Sequence, residues 1–317
     1  MSTLVGVGTD VRTSFAIETT PYTREEPTTS VEIAQESMQV KQDKIRSAGM
    51  GGGRRIQRRS VNGQRMNDGT IGIELGTTAL SDLMRLCIGG TPVVTGDGPF
   101  TSVFTPGELP TSTWQIVKPH GGDGLQPFDF FGSMVNSWTL TQNANEIGRL
   151  DIELFAYKVA LDQALAPFAA PLDPQLLTFQ DVTVTSSLLS GGDPVCFDGF
   201  SLQGSNNLAR PVKSCADDAG QPKPREVGMR TITGTLNDDF RDMEAHNAYL
   251  ENTEGTLTLA YAGPNGSSLT IDLTVVFTGE TPTVSGPSEI KQGIGFEVQS
   301  NVSDADAITV TLVNGES

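Results

Sequence analysis

One pattern occurs twice in this chain, and it limits the fold more than any single motif. The segment from Trp138, WTLTQNANEIGRLDIELF, and the segment from Phe296, FEVQSNVSDADAITVTLV, align without a gap. Trp138 falls on Phe296, Leu140 on Val298, Asn143 on Asn301, Glu146 on Asp304, Ile152 on Val310 and Leu154 on Leu312. Each reads as strand, polar turn and strand with apolar residues at alternate positions, the signature of a hairpin. Upstream, VFTPGELPTSTWQIV and LAYAGPNGSSLTIDL give a second such pair, placing Phe104 on Tyr261, Trp114 on Ile271 and Ile116 on Leu273.

Further upstream, TIGIELGTTALSDLMRLC and TITGTLNDDFRDMEAHNAYL each predict a strand, a polar cap and a short helix. Thr77, Thr78 and Ser81 in one copy, and Asn237, Asp238 and Asp239 in the other, are side chains able to accept the free N–H groups of a helix start. Leu80, Leu83, Met84 and Cys87 share one helical face; Phe240, Met243 and Asn247 or Leu250 share the matching one. ESMQV pairs loosely with GFSLQ, setting Met38 against Leu202. Elements recurring in the same order predict a tandem duplication, with one unit over residues 1–165 and a second over 176–317. The Ala/Pro-rich stretch from Ala164 to Pro174 is the expected linker.

The expected fold is mainly β: two antiparallel β-sandwich or barrel units in tandem, each with one flanking helix and one long loop. The 35 Gly and 18 Pro suit short strands joined by many turns. The start, MSTLVGVGTDVRTSF, lacks a basic, apolar leader, and no apolar run reaches the roughly 18 residues of a membrane span, which predicts a chain that is cytosolic when made. Cys87, Cys196 and Cys215 show no CxxC spacing, so we expect small buried apolar residues rather than disulfides or a zinc site. Trp114 and Trp138 are expected in the core.

Catalytic chemistry finds little support. His120 and His246 have no nucleophile and carboxylate at triad spacing. GMGGGRR lacks the lysine and hydroxyl of a phosphate loop, and GFSLQG matches a nucleophile elbow only in its first three letters. Asp238, Asp239, Asp242 and Glu244, and likewise Asp304 and Asp306, are carboxylates that a helix start or a turn explains without a metal. No catalytic residue, cofactor or metal is therefore expected.

Charge is the feature left over. Lys41, Lys44, Arg46, Arg54, Arg55, Arg58, Arg59 and Arg65 stand against Asp43 alone, so residues 41–65 carry +7 within a chain of net charge −17. The remainder is at −24, which argues against a protein that grips nucleic acid by neutralising phosphates. Three readings of the loop stand: contact with nucleic acid, contact with acidic surface on another copy of the chain, or a solvated loop. Guanidinium groups form bidentate pairs with carboxylates, and this chain has carboxylates in excess.

A first strand ending in ES-x-Q, a GGGRR loop, a GTIGIEL strand, a short helix, LPTSTWQI, FGSMVNSWTLT and a later GETPTVSG together resemble the tail tube, or major tail, proteins of bacteriophages with long non-contractile tails. The resemblance implies a virion protein, assembled in the host cytoplasm, whose units join sheets side by side into rings that stack as a tube for genome delivery. It implies three duplicated subunits with pseudo-sixfold symmetry or six subunits per ring. The implied partners are further copies of the chain and the tape measure, tail tip and tail terminator proteins, with viral DNA passing through the lumen unbound. On that reading the eight basic residues of 41–65 belong to a stacking or intersubunit contact. The competing classes are a capsid decoration protein and a β-sandwich binding module.

Overall fold

A computed structural model describes residues 6–49, 53, 56, 59–96, 98–120, 124–168, 175–212, 220–279, 284, 289–299 and 302–314. The first half holds β1 (Arg12–Ile17), β2 (Thr29–Val31), β3 (Gln35–Glu36), β4 (Gln39–Arg46), β5 (Ser60–Glu74), α1 (Leu80–Ile88), β6 (Val93–Thr95), β7 (Phe100–Phe104), β8 (Ser112–His120), β9 (Gly124–Asn143), β10 (Arg149–Ala156) and β11 (Lys158–Leu161). The second holds β12 (Val182–Ser186), β13 (Pro194–Val195), β14 (Gly199–Ser205), β15 (Leu208–Ala209), β16 (Arg225–Glu226), β17 (Thr231–Asp239), α2 (Glu244–Glu251), β18 (Glu254–Ala262), β19 (Ser268–Thr278), β20 (Lys291–Val298), α3 (Asp304–Ala307) and β21 (Ile308–Asn314). The protein is mainly β, and the strand pairs are antiparallel.

The same ladders are built twice. β1 pairs β2 and β8, as β12 pairs β13 and β18. β5 lies between β4 and β10, as β17 lies between β14 and β20. β9 pairs β8, β10 and β11, as β19 pairs β18, β20 and β21. Strand for strand, this corrects the correspondence drawn from the sequence. β8–β9 matches β18–β19 and β10–β11 matches β20–β21, one strand out of step with the gapless alignment. Trp138 and Ile152 do face each other across a hairpin, whereas β20 and β21 follow one another along a single edge of β19 with α3 between them. Strand–turn–strand segments of period two look alike whether or not they fold back, so the pattern allowed a shift by one strand.

The helices also differ from expectation. α1 buries Leu80, Leu83, Met84 and Cys87 as predicted, along with Leu86 and Ile88, but its cap is Ala79 in the left-handed region (φ 59°), without a side-chain hydrogen bond. Asn237, Asp238 and Asp239 cap nothing, because β17 runs through them and α2 begins five residues later. Its buried face is Ala245 and Ala248; Met243 and Leu250 are exposed, and Phe240 precedes the helix.

Two aromatic contacts mark the core. Trp114 stacks on Phe15 at 4.6 Å with both rings fully buried, and Phe200 and Tyr261 meet edge to face at 6.4 Å. One cluster of buried apolar side chains runs through both halves. Cys87 is buried and Cys196 is exposed, correcting the expectation for the latter; Cys215 lies outside the described residues.

Candidate assembly surfaces

The segment read as a long basic loop is largely a ladder. β4 and β5 pair from Gln39 with Asp68 to Arg46 with Ser60, so Lys41, Lys44, Arg46 and Arg65 sit on strands and Arg59 directly precedes one. Alternation is missing here because both faces meet solvent, and without it a strand reads as a loop. Arg54, Arg55 and Arg58 lie outside the described residues.

Within the hairpin the cations divide by role. Lys41 Nζ meets Asp68 Oδ1 at 2.5 Å, and Lys44 Nζ donates to Asn62 Oδ1. Arg65 Nε donates to Gln42 Oε1 at 3.2 Å, while its backbone N–H donates to Gly220 O at 2.6 Å. Arg46 and Arg59 are exposed, and neither has an ion-pair partner among the described residues. Val40, Ile45, Ile56 and Val61 are exposed on the same segment, an apolar component that the charge count had hidden. Among the described residues the outer edge of β4 has no ladder partner, and an open edge of this length is a template for another strand.

How such an edge is used can be seen inside the molecule. β14, which occupies in the second half the place of β4, pairs along Gly199–Ser205 with Asn143–Ser137 of β9. β7 of the first half in turn pairs with β21 of the second. The segment after β14 then lies back across the first half. Arg210 Nη2 donates to Asp68 Oδ2 at 3.1 Å, and its guanidinium lies 3.7 Å above the Phe155 ring. Tyr22 Oη donates to Pro224 O at 2.6 Å, and Lys223 lies over the rings of Tyr22 and Tyr157. Asn206 Nδ2 donates to Cys87 O and Val135 O. Burial pushes the Asp68 carboxyl up, but the hydrogen bonds from Lys41 and Arg210 outweigh it and hold the group below its usual range.

The carboxylate cluster is satisfied from within. Lys291 Nζ bridges Asp198 at 2.7 Å and Asp239 at 2.6 Å, Arg241 pairs with Asp238, and Asp242 accepts from the Glu244 N–H. No group of three His, Cys, Asp or Glu residues suited to a metal occurs among the described residues. His120 ends β8 and His246 lies on α2. None of the described helices is long and apolar enough to cross a membrane.

The fold is antiparallel β, with an edge strand, β4, paired on one side only among the described residues and a seam between the halves made by its counterpart, β14. A profile of the phage tail tube protein family matches residues 8–298, and the chain belongs to that family: it is a bacteriophage virion protein of the tail tube. A search of curated proteins found no match. The family is structural rather than enzymatic, and membership implies self-assembly into the tube together with other tail components.

Proposed function

We propose that this chain polymerises head to tail through its sheet edges, each molecule contributing two tandem tube units, residues 1–165 and 176–317. The observation that supports this reading is the β9–β14 ladder, which joins the halves edge to edge through seven residue pairs. Between molecules the outer edge of β4 takes the part of β14 against the second unit of a neighbouring molecule. Such an interface is heterologous and closes into a ring when its rotations sum to a full turn. Fusing two units in one chain makes every second seam intramolecular and lowers its entropic cost. Three molecules then give a pseudo-sixfold ring; six molecules, with the second unit outside, is the alternative count.

Rings stack into a channel for genome delivery, with the basic hairpin from Lys41 to Arg65 at the stacking or intersubunit contact. A lumen drawn from the remaining, strongly acidic surface repels DNA phosphates, so the genome slides without sticking. The tape measure, tail tip and tail terminator proteins complete the partners, and assembly takes place in the host cytoplasm.

Negative-stain microscopy of concentrated protein at low and high salt tests the reading. Hollow tubes with a regular axial repeat are expected, and their end-on symmetry separates three subunits from six. Small closed shells that never stack would favour a decoration protein instead.

A further inference from the structure

The long strand β5 carries an unfinished surface at each end. At its start, Ile45 of β4 stands opposite Val61 of β5, and both side chains are exposed on the same face of the hairpin. The Ser47 N–H donates to Arg59 O at 3.0 Å, which extends the ladder, so Arg59 continues that face two residues before Val61. Arg59 is itself exposed, without an ion-pair partner among the described residues.

At the far end of the strand, Ile73 and Glu74 line a cleft of about 980 Å³ together with residues 8–12 and 30–36. Ile33, Leu125 and Leu176, all half-buried, give it an apolar wall. Its charged lining is Asp10, Glu32, Glu36 and Glu74 against Arg12. Two of these are engaged: Lys118 holds Glu36 at 2.9 Å, and the Arg12 guanidinium lies 5.7 Å from the Phe168 ring. Asp10 and Glu32 are exposed and have no ion-pair partner among the described residues.

We infer that this cleft receives the hairpin of a second copy of the chain, with Ile45 and Val61 against the apolar wall and Arg59 against Asp10 and Glu32. The complementarity is of shape class and of charge: an apolar pair flanked by a cation meets an apolar wall flanked by carboxylates. Val61 and Ile73 are twelve residues apart on one extended strand, about 40 Å, so a molecule does not fill its own cleft. A contact between opposite ends of the same strand is heterologous and, repeated, runs copies along the direction of β5 instead of closing. The backbone edge of β4 and the side-chain face of the hairpin are separate surfaces, so one hairpin serves a lateral seam and this contact together.

This inference rests on the stacking reading above and names its acceptor. It is tested by sedimentation velocity and negative-stain imaging of the full chain as wild type, Arg59→Glu, Asp10→Arg with Glu32→Arg, and all three changes combined, with thermal melts to show that each is folded. The hairpin variant and the cleft variant are each expected to raise the concentration needed for tubes by about tenfold or more, since each sets like charges against one another. The cleft variant lowers the net negative charge of the chain, so general repulsion alone predicts easier assembly, the opposite result. The combined variant is expected to recover most of the loss. Either parent variant stacking like the wild type, or a combined variant no better than its parents, overturns this contact and leaves stacking itself in place. A wild type that never stacks at any salt or concentration overturns the stacking reading and this contact with it.

Discussion

Gly204 of β14 stands directly opposite Trp138 of β9, so close that a β-carbon added to the glycine would come within 2.2 Å of the indole Cε2. The indole covers the seam between the halves only because that position has no side chain. Gly204→Ala is expected to lower unfolding stability by about 1–3 kcal/mol, the usual cost of overpacking. A thermal melt unchanged from the wild type would show that the ladder has slack there.

A second test concerns an ion pair whose carboxylate is buried and whose arginine is half-buried. Asp129 is fully buried and accepts from Arg24 Nε at 2.6 Å and from Gln115 Nε2 at 2.8 Å. Arg24→Met removes the counter-charge and leaves the carboxylate with a neutral donor. The expected cost is about 3–5 kcal/mol, read by urea unfolding at neutral pH. Asp129→Asn on the same background should recover part of it.

Stability at acid pH should depend on Asp68. Its folded-state pKa lies below the unfolded value, so its contribution is present above the ordinary Asp value of about 3.9 and is lost as pH falls through the folded value. Asp68→Asn should therefore be less stable than the wild type at pH 7, with the gap narrowing below about pH 4. Parallel denaturation curves across that whole range would contradict the assignment.

Reversing Arg58 and Arg59 to Glu tests the basic hairpin as a whole. The expected product is a soluble, folded monomer whose tube yield drops sharply. Tubes of normal yield and repeat would remove the hairpin from the contact.

Leu83→Ala on α1 acts earlier, on folding itself. Leu83 is buried against the common core, and truncation is expected to cost about 2–5 kcal/mol, with aggregation in place of assembly. Phe240→Ala, at a half-buried position outside any helix, should cost less; both are compared by thermal melts.

The sequence reading succeeded where one face of an element is buried and the other is wet. The α1 face Leu80, Leu83, Met84, Cys87 is buried as its spacing predicts. It slipped where several segments share one period: β7 resembles a partner for β8, yet pairs with β21, more than two hundred residues away in sequence. Nothing local records such a pairing. Asp239 looks like a helix cap because an acidic residue suits both a helix start and a pair with Lys291, and the lysine lies some fifty residues further on. The eight cations were legible as a group, but the apolar Val40, Ile45 and Val61 among them emerge only once the hairpin is folded.

The exchange of ladders between the halves bears on how the molecule can be taken apart. β14 completes the edge of β9, and β7 completes the edge of β21, so each half supplies a strand that the other's sheet uses. Gln115 further clasps the outgoing chain, donating to Ala164 O at 2.9 Å and accepting from the Ala166 N–H at 2.7 Å. A protease cut just after this clasp would leave a nicked particle rather than two free pieces. Either half expressed alone would present an unfinished sheet, and the two mixed together would restore one another by complementation.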